Sequence, residues 1–184
     1  MLSYESDEIG GHAMKILGIV IVFISCSLCG FIIDFNEGKR IKELEKFIYA
    51  FEILKAEIDY RLTPLQEAAM YAGRLTIEGV KKVFETFASA IGHKNTTDLN
   101  EMWQGSLKSN KHYFHLREQD YELLYEFSNA CGYLDKNMQK QNIDMLIRKL
   151  QAELTQSKEK YQKNTKLNKY LGVLIGASIG IFLI

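Results

Sequence analysis

Proline is almost missing from this chain; Pro64 is the only one in 184 residues. A proline ring locks φ and removes a backbone donor, so a chain with so little of it leaves long helices uninterrupted. Cysteine is scarce too. Two of the three cysteines lie inside an apolar run, which excludes a disulfide framework. Excess charge of either sign is absent, with 23 basic and 23 acidic side chains, so there is no electrostatic footprint for nucleic acid and no acidic tail. Catalytic signatures are missing as well: no GxxxxGK[ST], no GxSxG, no HExxH and no glycine-rich turn after a strand. Cys26-Ser27-Leu28-Cys29 has the spacing of a redox motif, but no histidine or lysine stands by to lower a thiol pKa. His112, His115 and Glu118 drift around a helix and read as surface polar residues. The expectation is a non-enzymatic protein with neither metal nor cofactor.

What is present is helical periodicity between two apolar blocks. Ile16–Ile33 carries no charge over 18 residues, near the lower limit for a spanning helix. Leu171–Ile184 is shorter, about 21 Å of helix against a hydrocarbon core of about 30 Å. Lys39, Arg40, Lys42 and Lys46 follow the first block, and Lys158, Lys160, Lys163, Lys166 and Lys169 precede the second. By the positive-inside rule the middle of the chain is cytoplasmic, with both ends anchored in one membrane. The divisions expected are 1–13 as a disordered extension, 14–35 as a membrane helix, 36–166 as a cytoplasmic bundle and 167–184 as a second membrane helix. The codons for Gly10-Gly11 suit a ribosome-binding sequence just ahead of Met14, where translation is expected to start. Gly172, Gly176 and Gly180 recur every fourth residue, as Ser25 and Cys29 do in the first block. Small residues at that spacing let two membrane helices, or two subunits, pack closely.

The middle segment reads as about six helices, an all-α fold. The first spans about Lys39–Leu62, with Ile41, Leu44, Ile48, Phe51, Ile58 and Leu62 on one face and Glu43, Lys46, Glu52, Glu57 and Arg61 on the other. A short second helix stops at Gly73, and a third runs from about Ile77 to Gly92. Asn95–Asp98 offers caps for a fourth, with Leu99, Met102, Trp103 and Leu107 inward. The fifth carries Leu116, Leu123, Leu124 and Phe127. The sixth is capped by Asp135, has Ile143, Leu146, Ile147, Leu150 and Leu154 on its stripe, and turns polar afterwards.

The first and second helices meet at Glu57-Ile58-Asp59-Tyr60-Arg61-Leu62-Thr63-Pro64-Leu65-Gln66-Glu67-Ala68. Thr63 is expected to cap the second helix and Gln66 to complete a capping box, with Pro64 in the first turn. Tyr60 is expected to be buried or semi-buried. Glu57, Asp59, Arg61 and Glu67 are the candidate partner surface.

These residues resemble the stage III sporulation protein AB family of endospore-forming bacteria. The resemblance rests on Met14-Lys15-Ile16-Leu17-Gly18, on Glu57-Ile58-x-Tyr60-x-x-Thr63-Pro64-Leu65-x-Glu67-Ala68, and on Trp103. It continues through Phe127, Gly132, Asp135 and Gln139 to Lys166 and Tyr170-Leu171-Gly172-Val173-Leu174. Leu134 departs from it, standing where the family tends to have serine. The resemblance implies a membrane component of the channel complex between mother cell and forespore, on the mother-cell side of the outer forespore membrane. It also implies an architecture like the platform proteins of type II secretion and type IV pilus machines. The partners it implies are the sporulation AA ATPase, other membrane components of that complex, and further copies of the chain. The competing reading is a membrane-anchored helical adaptor that sequesters a soluble partner.

Overall fold

The computed structural model describes the backbone of residues 2–93, 98–131 and 136–183, and the side chains chiefly of 34–93, 98–128 and 138–164. Six α-helices and one 3-10 turn account for it: α1 (Leu2–Asp59), α2 (Leu65–Arg74), α3 (Glu78–Gly92), α4 (Leu99–Ser109), the turn Lys111–Tyr113, α5 (Glu118–Cys131) and α6 (Lys136–Leu183). No strand occurs among the described residues. The all-helical expectation holds.

Two compact units divide the chain, Lys39–Lys158 and Met1–Gly38 with Glu159–Ile184. In the second, helical backbone extends back to Leu2, through the segment expected to be disordered. Extending a helix costs little once it is nucleated. Among the described residues no helix is long and apolar enough to cross a membrane. The side chains of the two apolar blocks fall mostly outside the described ones, as do those of Cys29, Gly172, Gly176 and Gly180. Asp135, the expected cap of α6, also lies outside.

Unit Lys39–Lys158 is built around the only tryptophan. Trp103 is fully buried, and its indole N–H donates to the Leu124 carbonyl at 2.7 Å. Phe51 of α1, Phe84 and Phe87 of α3 and Phe127 of α5 ring it at centroid distances of 4.7 to 5.8 Å, in tilted or edge-on geometry. Edge-to-face packing suits the ring quadrupoles and locks four helices to one side chain. Leu44, Phe47 and Leu54 extend this core along α1, and Ile143, Leu146 and Leu150 extend it along α6. Asp98 caps α4 as expected, its carboxylate accepting from the Asn100 N–H at 2.8 Å.

Gly73 has a different role from the expected helix stop. It is buried inside α2, and a Cβ there would stand 2.8 Å from Phe84 Cβ. Helix α2 continues to Arg74, and its inward face is Ala68, Ala69, Ala72 and Gly73, small enough to lie close against α3.

A buried polar cluster was not foreseen. Arg40, read as a membrane-flanking cation, is 1% exposed. Its Nε and Nη2 each donate to Asp120 at 2.6 Å, Nη2 also reaches Glu153 at 2.7 Å, and Nη1 reaches the Ser157 hydroxyl at 2.9 Å. Asp120 is fully buried and also accepts from the Arg117 N–H at the start of α5. One guanidinium thus joins α1, α5 and α6. Ser157, expected on a solvated stretch beyond Leu154, belongs to this cluster. Glu43, expected on the outer face of α1, is buried as well, its carboxylate taking the His115 N–H at 2.8 Å and the His115 ring Nδ1 at 2.9 Å.

Breaking the Arg40–Asp120 pair from one side leaves a buried charge, at a cost of about 3–5 kcal/mol. Asp120→Ala should lower unfolding free energy by that amount in chemical denaturation. Arg40→Met with Asp120→Leu should lose less than Asp120→Ala alone.

Tyr121 is the buried side chain whose hydroxyl finds no partner among the described residues. Burial, and then the charge of Glu43, raises its pKa above the usual tyrosine range. The folded state therefore keeps a proton that the unfolded chain gives up near pH 10, and stability is present below that pH and lost as pH rises through it. Tyr121→Phe should leave stability at pH 7 unchanged or raise it by about 1 kcal/mol, because an unsatisfied hydroxyl is removed. It should also flatten the loss above pH 10 in thermal unfolding.

Candidate functional site: the corner between α1 and α2

Helix α1 ends at Asp59, one turn before the periodicity placed its end. The Tyr60 N–H still bonds to the Ala56 carbonyl at 3.0 Å, and then Leu62 turns left-handed at φ 55. It is the only non-glycine residue with positive φ among the described residues. A left-handed leucine crowds its own Cβ against the backbone, costing about 1–2 kcal/mol. The turn brings the Thr63 N–H back to the Glu57 carbonyl at 3.1 Å, and the Thr63 hydroxyl donates to the Glu57 carboxylate at 3.0 Å.

The expected capping box is therefore not formed. Pro64, at φ −56 and ψ 144, is itself the N-cap of α2 and offers no side-chain acceptor. Thr63 sits one residue too early, and a carboxylate outcompetes an amide for its hydroxyl. Gln66 crosses instead to the end of α3, where its Nε2 would meet a Cβ on Gly92 at 2.5 Å.

Glu57 holds this corner from beneath. It is 7% exposed, and Arg61 closes over it at 3.1 Å. Expected on the candidate partner surface, Glu57 is largely covered, its carboxylate bonded to Thr63 and Arg61. Asp59 pairs with Lys140 of α6 at 2.5 Å. The bond to Asp59 raises the Lys140 pKa, so the lysine stays charged across the physiological range. Arg61 and Glu67 do face solvent.

Tyr60 is the larger correction. It is 83% exposed, and Leu62, expected on the core stripe, is 65% exposed. Both lie beyond the last turn of α1, where the helical pattern no longer sets direction. Beside them runs a cleft of about 290 Å³ lined by Glu57, Thr63, Glu67, Met70, Tyr71 and Arg74. The Arg61 guanidinium stands 5.9 Å from the Tyr71 ring centroid. The corner is a rigid apolar projection beside a polar-edged cleft. That arrangement suits docking. No signal in the sequence separated Tyr60 from the buried Tyr121, whereas the buried Arg40 was detectable: it precedes Leu44, Phe47, Phe51 and Leu54 at four-and-three spacing, on the core stripe.

A family model for stage III sporulation protein AB matches residues 15–184. The chain belongs to the stage III sporulation protein AB family. Stage III sporulation protein AB of Bacillus subtilis (strain 168) is 27% identical over 163 residues, covering 89% of this chain and 95% of that protein. A solved structure of a stage III sporulation protein AB superposes with a TM-score of 0.62 at 24% identity, over 67% of this chain and 96% of that one. The helical fold of this chain is thus that of the family. The corner motif, singled out for its resemblance to this family, holds Tyr60 and Leu62, the two most exposed large apolar side chains among the described residues.

Leu62→Gly removes the left-handed penalty and should raise unfolding free energy by about 0.5–1 kcal/mol. Thr63→Ala should lower it by about 1–2 kcal/mol, through the lost bond to a charged acceptor. Opposite signs at adjacent positions in one denaturation series check the geometry of the turn.

Proposed function

We propose that this chain is a non-enzymatic assembly platform in the channel complex between mother cell and forespore, required for endospore formation. Terminal membrane helices anchor it, its bundle stands in the mother-cell cytoplasm, and the corner between α1 and α2 docks the sporulation ATPase. Family membership supports the sporulation role. The uncharged run Ile16–Ile33, the apolar tail from Leu171 and the lysines flanking both support the membrane anchor.

The observation that carries docking is the exposure of Tyr60 and Leu62 on a strained turn. Within the chain this arrangement is unfavourable: a large aromatic and a leucine stand in water, and the leucine is held left-handed. A partner that covers both recovers the apolar burial that folding leaves unused, about 1.5–3 kcal/mol for each large side chain. Aromatic anchors of this kind dominate interface energies. Arg61 and Glu67 form the rim, where charge sets orientation and approach.

Full-length protein in detergent is expected to retain the purified ATPase on an affinity matrix. Tyr60→Ala and Leu62→Gly should each weaken Kd at least about tenfold, a loss of about 1.4 kcal/mol. Leu62→Gly is the informative variant, because it should bind less well while unfolding at a higher temperature. Wild-type protein that fails to retain the ATPase would sink the docking role, and unchanged binding by both variants would move the surface elsewhere.

A further inference from the structure

We infer that the outer face of α2 recognises a second copy of this chain, packed antiparallel about a two-fold axis. Glu67, Met70, Tyr71 and Arg74 fall at i, i+3, i+4 and i+7, so they share one helix face. All four line the cleft at the corner. Tyr71 is 42% exposed, while the opposite face, Ala68, Ala69, Ala72 and Gly73, is committed to the bundle.

The order of charges carries the inference. Glu67 and Arg74 stand two turns apart, about 10.5 Å along the helix. The apolar pair Met70 and Tyr71 lies midway. Among the described residues Glu67 forms no ion pair, and the contact shown for Arg74 is from Nη2 to the Met70 sulfur at 3.4 Å. Such a face is complementary to itself in one arrangement only. When two α2 helices cross antiparallel, each Glu67 meets the other copy's Arg74, and Met70 and Tyr71 meet their counterparts near the axis. A parallel arrangement brings Glu67 to Glu67 and Arg74 to Arg74. Isologous contact of this kind closes a dimer and leaves nothing to propagate.

One helix face covers far less than the roughly 800 Å² per partner of a stable soluble complex. The contact is therefore a weak one that tethering strengthens, since two copies held in one membrane meet at an effective concentration on the order of millimolar. In this respect it rests on the membrane anchor proposed above. Tyr60 and Leu62 lie outside the four-residue face, which shares only the rim residue Glu67 with the proposed ATPase surface.

Sedimentation of the full-length chain in density-matched detergent, loaded up to millimolar concentration in the micelle phase, tests the face. Wild type should reach a dimer. Glu67→Arg or Arg74→Glu places like charges opposite each other and should weaken association at least about tenfold. The double variant Glu67→Arg/Arg74→Glu restores the pairing in reversed sense and should dimerise like wild type. An equal mixture of the two single variants should form heterodimers although each alone is monomeric, which also shows that both fold. Monomeric wild type at the highest loading, single variants that dimerise normally, or a double variant that stays monomeric would each overturn the face. Flotation of the same protein with vesicles reads the membrane anchor by itself, and ATPase retention by the Arg74→Glu variant reads docking by itself.

Discussion

The buried guanidinium of Arg40 is the constraint on which the bundle depends. Desolvating an arginine costs several kcal/mol, recovered only when its donors meet well-placed acceptors. Here Asp120 takes two of the donors, and Ser157 and Glu153 take others. Apolar contacts let helices slide and roll with little penalty; a fork of short charged hydrogen bonds does not. The cluster therefore fixes the rotation of α1 against α5 and α6. That rotation places Leu44, Phe47, Phe51 and Leu54 in the core, and it also turns Glu57 inward nearly five turns after Arg40.

Glu57 then converts the register of α1 into the shape of the corner. Its backbone carbonyl and its carboxylate both receive Thr63, which pulls the chain back on itself within six residues. Leu62 bears the strain of that reversal, and Tyr60 and Leu62 are pushed into solvent as a consequence. The corner is held by a buried acid and presents apolar groups, the reverse of a surface whose charges do the binding. The small inward face of α2 completes the arrangement by seating that helix close to α3 while Glu67 and Tyr71 stay outside.

The scaffold role proposed for this chain draws on these features. Buried Arg40 is committed to Asp120 and buried Glu43 to His115, and these pairs hold the helices in position. The exposed groups that stand out are aromatic and aliphatic. A platform of the kind proposed works through fixed surfaces, and the proposal rests on a locked register beside an exposed apolar projection.

Much of the helical fold was legible in the sequence, because burying one face of a helix demands apolar residues at three-and-four spacing and the chain supplies it. Leu44, Ile48, Phe51, Trp103, Leu107, Phe127, Ile143 and Leu150 could be assigned to the core that way, and the cap of α4 to the stretch that ends at Asp98. The corner was legible as a place, through its single proline, but its chemistry was not. Local rules make Thr63 a cap and Tyr60 a core residue; the acceptor that captures Thr63 lies six residues back, and the exposure of Tyr60 follows from a left-handed leucine that propensities disfavour. Long-range pairing was hidden for the same reason. Arg40 and Asp120 are 80 residues apart, and no periodicity in either segment names the other. Sequence by itself determined which faces are apolar and where helices break, since those depend on neighbours in the chain. Only the tertiary structure decided which polar groups pair and which apolar groups are left in water, because a charge's partner and a side chain's cover come from distant segments.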